Sequence, residues 1–91
     1  MAHSSSARKR LRQNIDRRSR NRARRTRLRG QIRKLRSAIQ SGDADRVQEA
    51  FRPTLRLVDA SSARGVLHAN AAARTKSRLT RQAQQVLGSR S

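Results

Sequence analysis

The sequence has no cysteine, tryptophan or tyrosine, one phenylalanine (Phe51), one proline (Pro53) and four glycines. Without cysteine there is no disulfide, no thiolate metal site and no thiol redox chemistry, which fits a reducing compartment. With Phe51 as the sole aromatic residue there is no row of rings on which bases could stack. Acidic side chains are scarce: Asp+Glu number 5 against Lys+Arg 24, a formal net charge of +19 and a pI near 12.0. No apolar run approaches a membrane span or the apolar core of a secretion signal. Catalysis finds no footing. His3 lies in a polar start, His68 has no carboxylate near it in sequence, and the serines form no nucleophile elbow. No catalytic residue, metal or cofactor is expected, and no small-molecule substrate.

What is present is positive charge, nearly all of it arginine, with lysine only at Lys9, Lys34 and Lys76. A chain so charged repels itself and is drawn to polyanions. The planar guanidinium fork grips two phosphate oxygens at once; a GC-rich genome would produce the same arginine bias. At 91 residues there is room for one small domain, with a thin core and an unfavourable ratio of surface to volume.

Residues 1–6 read as a loose polar tail. Residues 7–40 contain no proline and only Gly30, and most are good helix formers. Leu28, Ile32, Leu35 and Ile39 step by four, three and four and share a helical face. Leu11 and Ile15 form a separate pair, and only Ala23 is apolar between the groups. The reading is one long helix, about 50 Å if complete, whose C-terminal third packs on a core while the rest projects. Ser41-Gly42-Asp43 ends it, with Gly42 suited to the left-handed closing position and Asp43 to capping a second helix over residues 43–63. Asp45 and Glu49 then sit near the positive end of the helix dipole, which accounts for them without a metal site. Val47, Ala50, Phe51, Leu55 and Val58 form its apolar face, and Pro53 predicts a kink. Gly65 follows the second helix and Val66 is placed to fold back on it. A third helix over residues 68–87 offers Leu67, Ala71, Leu79, Val86 and Leu87, with residues 88–91 as a tail. The expected fold is all-α: an antiparallel three-helix bundle, 1–91 as a single domain, with a long N-terminal basic helix projecting from it.

The projecting arm is at odds with itself. Like charges stand four apart at Arg8/Arg12, Arg18/Arg22, Arg20/Arg24, Arg25/Arg29 and Arg29/Arg33, and three apart at Lys9/Arg12, Arg17/Arg20, Arg22/Arg25, Arg24/Arg27 and Arg33/Arg36. At ~0.2–0.5 kcal/mol each they sum to roughly 2–5 kcal/mol against the helix at low salt. Asp16 recovers a little. The free arm is therefore expected to fray and to become helical against an anionic surface. A membrane is a poor fit, since a surface helix needs an apolar face. A leucine zipper is a poor fit too, because the seam after Asn21-Arg22-Ala23-Arg24-Arg25 stops within two heptads. An Arg-rich mitochondrial presequence would leave too little chain to fold, and a plain solvated surface does not explain such a density of one sign. Charge on every face suits a helix threaded between phosphate backbones, with affinity that falls as salt rises.

The third segment, "ARGVLHANAAARTKSRL" at residues 63–79, resembles the signature of the bacterial family of small-ribosomal-subunit protein twenty. The pattern is a basic residue and Gly (Arg64, Gly65), an aliphatic pair (Val66, Leu67), His68, Asn70, then Ala72, Ala73, Arg74, Lys76, Ser77, Arg78 and Leu79. "SARKRLRQN", "RRSRNRARRTRLR" and the "SGD" break resemble the same family in the same order. Ala69 and Ala71 stand where many members carry lysine, and Pro53 where many have an ordinary helix former. The resemblance implies a three-helix protein that binds 16S ribosomal RNA directly and stabilises its fold early in small-subunit assembly. It would lie low on the subunit body between the 5′ domain and the long penultimate stem, with few or no protein contacts. It also implies a cytoplasmic, ribosome-bound protein, an organellar origin staying open. On the arm it implies phosphate contacts from Arg8, Lys9, Arg10 and Arg12, from Arg17, Arg18 and Arg22, and from Arg24, Arg25 and Arg29. Asn14 and Asn21 either reach sugar or base edges or are plain polar surface. On the third helix the expected contacts are Asn70, Arg74, Lys76, Ser77 and Arg78, while His68 either meets RNA or caps the helix.

Overall fold

The computed structural model describes residues 2–88, with side chains described from residue 5. Three helices account for nearly all of it: α1 (Ala2–Ser41), α2 (Ala44–Ala63) and α3 (Ala69–Gly88). There is no strand among the described residues. The connections are short, so neighbouring helices run antiparallel. α2 packs against both α1 and α3, whereas α1 and α3 barely touch each other. α1, at 40 residues, spans about 60 Å, twice the length of either partner, and the molecule measures 70 × 21 × 14 Å.

The helix boundaries lie within one residue of the sequence reading except at the start of α1. α1 begins at Ala2, so residues 2–6, read as a tail, are helical; no glycine or proline interrupts them, and serine mid-helix is only mildly unfavourable. Gly88 belongs to α3, while the rest of the expected C-terminal tail lies outside the described residues.

The joints follow from local chemistry. Gly42 takes φ +71 after α1, a conformation that costs other L-residues about 1–2 kcal/mol. Asp43 then caps α2, its Oδ1 accepting from the Arg46 amide at 3.3 Å. At the far end of α2 the Val66 amide donates to the Ser61 carbonyl (2.9 Å) and the Gly65 amide to the Ser62 carbonyl (3.1 Å), with Gly65 at φ +75. That pair of bonds is a Schellman closure, and the buried Val66 folds back as its spacing predicts. α2 is continuous across Pro53. Pro53 has no amide to donate to the Glu49 carbonyl, and both residues are exposed.

The core is built from small residues as much as large ones. Leu35, Ala38, Val47, Ala50, Leu79 and Ala83 form one buried cluster, with Ile32, Ile39, Phe51, Val86 and Leu87 half-buried around it. Leu28, Val58 and Ala72 form a second. The sequence reading favoured bulky side chains, yet Thr54 is fully buried where Leu55 is only half-buried, and Ala72 is buried where Ala71 is half-buried. Small side chains let the helices approach closely. Thr54 is satisfied twice over, its Oγ1 donating to the Ala50 carbonyl (2.7 Å) and accepting from Gln31 Nε2 (3.1 Å). Among the described residues no buried side-chain polar atom lacks a partner.

Candidate nucleic-acid interface

Every residue from 5 to 20 of α1 is exposed. Arg8, Lys9, Arg10, Arg12, Arg17 and Arg18 therefore stand in solvent around the whole circumference, and Asn14 with them. The arm also carries the chain's exposed large apolar pair, Leu11 at 60% and Ile15 at 55%. Arg22, Arg25 and Arg29 are likewise exposed, whereas Asn21 and Arg24 are half-buried. Those two continue the line of Leu28 and Leu35 along the helix, so they lie where the bundle ends. Arg17, Arg20, Asn21 and Arg24 line one cleft with Arg64 from the α2–α3 connection.

Closer to the core, α1 and α3 leave a groove between them because only α2 bridges the two. It encloses about 880 Å³, with Ile32 and Ile39 on its floor, Arg29, Arg33 and Arg36 along one wall, and Thr75 and Gln82 opposite. Arg33 and Arg36 were not among the residues expected from sequence. The spacing of four from Arg29 to Arg33 and three from Arg33 to Arg36 was visible, but only the gap between α1 and α3 makes that wall concave.

On α3, Asn70, Arg74, Ser77 and Arg78 are exposed on the side opposite the buried Leu79. Arg81 falls on the same stripe, four residues past Ser77; helical spacing alone would have found it. Lys76 stands apart. It turns toward α2, where Nζ meets Asp59 Oδ1 at 3.0 Å and Oδ2 at 3.2 Å. An ion pair of such exposure is worth about 0–1 kcal/mol, and its charge is already answered. His68 caps α3: its Nδ1 accepts from the Asn70 amide (3.1 Å) and its carbonyl from the Ala72 amide (2.9 Å). The capping alternative is thus realised, at an exposed residue.

Chemically, these surfaces offer many fixed cations and hydrogen-bond donors with hardly any acid. No group of three or more His, Cys, Asp or Glu that could hold a metal occurs among the described residues, and no helix there is long and apolar enough to cross a membrane.

Residues 2–84 match the family model described as Ribosomal protein S20. Curated proteins named Small ribosomal subunit protein bS20 are similar over most of the chain. That of Koribacter versatilis is 49% identical over 88% of this chain and 90% of its own length. That of Methylococcus capsulatus is 48% identical over 87% and 86%, and that of Nitrosomonas eutropha 42% over 88% and 92%.

Proposed function

The chain belongs to the ribosomal protein S20 family, and from that premise we propose that it binds 16S ribosomal RNA directly and holds its fold during small-subunit assembly. As a member of that family it is a structural component of the small ribosomal subunit, a cytoplasmic particle, and not an enzyme. One observation carries the RNA reading: a helix of about 60 Å on which every residue from 5 to 20 is exposed and basic side chains stand on every face. No protein surface supplies an extended negative charge of that length as simply as a folded nucleic acid does. Recognition then rests on phosphate spacing and RNA shape, since no aromatic side chain lies on the arm to stack a base. Arg8, Lys9, Arg10, Arg12, Arg17, Arg18, Arg22, Arg24, Arg25 and Arg29 serve as the arm's phosphate contacts, with Asn14 and Asn21 within reach of sugars. Asn70, Arg74, Ser77 and Arg78 form a second contact line on α3, facing a different RNA element. Two such lines on separate helices suit a protein seated between the 5′ domain and the penultimate stem.

The experiment is a binding series against purified 16S RNA and duplex DNA of equal phosphate content, over increasing salt. Preference for the RNA that persists at high salt is expected. Equal binding, lost together as salt rises, would reduce the arginines to generic polyanion ligands.

A further inference from the structure

Where α1 leaves the bundle, its inward stripe changes chemistry. At 3.6 residues per turn, Leu35, Leu28, Arg24, Asn21 and Arg17 lie near one line of the helix. Inside the bundle this line presents leucine to the core. Immediately beyond, it presents arginine and asparagine, and the α2–α3 connection reaches the same level with Arg64. Arg17, Arg20, Asn21, Arg24 and Arg64 enclose a cleft of about 260 Å³. Asn21 and Arg24 are half-buried there. Arg64 is the C-cap of α2, held by its own amide to the Ala60 carbonyl at 3.1 Å and followed by the Schellman closure at Gly65 and Val66. The position from which its side chain springs is therefore fixed. No carboxylate lines the cleft. The acid nearest in sequence, Asp16, meets Arg20 only through its main-chain carbonyl, at 3.4 Å.

Resting on the RNA reading above, we propose that this cleft is a phosphate seat, in which one backbone phosphate of the RNA is held between Arg64 of the bundle and the arginines at the base of the arm. Four guanidinium groups from two elements repel one another across the cleft. A phosphate reverses the sign of every one of those interactions, and its several oxygens accept from several forks at once. The asparagine adds a neutral donor that does not worsen the repulsion. The seat also does something the rest of the arm cannot. Contacts farther out fix RNA to the arm alone, whereas a phosphate here joins arm and bundle and so sets the direction in which the arm leaves the protein.

The test compares Arg64→Ala with Arg52→Ala in the full-length chain. Arg52 is exposed on α2 and does not line the cleft, so both variants lose one charge. Arg64→Ala is expected to weaken binding to 16S RNA about tenfold, as for loss of a charge-assisted bond. The slope of log K against log salt should become shallower by about 0.7–0.9. It should also remove hydroxyl-radical protection from one short RNA stretch. Arg52→Ala should change affinity less than about twofold and leave the footprint whole, as expected for a charge that meets no phosphate. The backbone bonds of the Schellman closure are unaffected by Arg64→Ala, so melting by circular dichroism should match the parent. Equal affinity losses in the two variants, or an unaltered footprint with Arg64→Ala, would overturn the seat while leaving RNA binding intact. Parent protein that does not distinguish 16S RNA from duplex DNA would instead remove the reading on which the seat rests.

Discussion

Single side chains in this protein divide into those that hold the helices together and those left exposed on the surface. Thr54 belongs to the first group. Buried completely, it links Gln31 of α1 to α2 through one hydroxyl. Thr54→Val keeps the shape but removes the acceptor for Gln31, and thermal denaturation should register a loss of about 1 kcal/mol. Arg74 and Arg78 belong to the second group. Exposed and opposite the core, they make no packing contribution that alanine would forfeit. Arg74→Ala with Arg78→Ala should therefore leave the melting curve in place while weakening 16S RNA binding. Two lost phosphate contacts should lower the salt slope by about 1.4–1.8. Unchanged affinity would remove α3 from the interface. Lys76 lies in the same run as Arg74 and Arg78, but its side chain pairs with Asp59 of α2.

At the joints between helices, stability rests on backbone conformation rather than on packing. Gly65 sits at φ +75 at the centre of the Schellman closure, so Gly65→Ala should cost about 1–2 kcal/mol from backbone strain alone, although nothing lies within 4 Å of the added methyl. Gly30 is the opposite case. It lies in the middle of α1, exposed, with nothing within 4 Å of an added Cβ. Gly30→Ala should stabilise by about 0.5–1 kcal/mol. The pair, measured together by chemical denaturation, separates conformational strain from packing, because space is available at both. Pro53 stands at an exposed position within α2 without ending the helix.

Taken whole, the molecule has two energetic halves. The bundle half depends on a small core, and Leu79, fully buried where α3 meets it, is its keystone. Leu79→Ala should cost about 2–5 kcal/mol, enough to abolish cooperative unfolding in a chain this short. The arm half has no core to lose. Its like-charge spacings act against helix by roughly 2–5 kcal/mol at low salt, so helicity of the free chain by circular dichroism should fall short of the three-helix structure and rise on adding 16S RNA. A free chain already fully helical would contradict that. Charge is also unevenly spread: α2 balances Arg46, Arg52 and Arg56 against Asp45, Glu49 and Asp59, while α1 carries one acid, Asp16. The balanced face of α2 is accordingly the side expected to face away from RNA.

Much of this was written in one dimension. Helix content, the break at Ser41-Gly42-Asp43, the closure at Gly65 and the need for a polyanion all follow from local spacing and net charge, which require no knowledge of what packs where. The choice among polyanions came from the residues 63–79 signature rather than from physics. Tertiary structure alone decided the rest. Which small residues are buried depends on how closely helices approach, so Ala38, Thr54 and Ala72 are buried while their neighbours Ile39, Leu55 and Ala71 are half-buried. Concavity depends on which helices touch. Because α2 meets both others while α1 and α3 barely meet, Arg33 and Arg36 became a groove wall, and Arg64, forty residues beyond Arg24 in the chain, came to stand beside it.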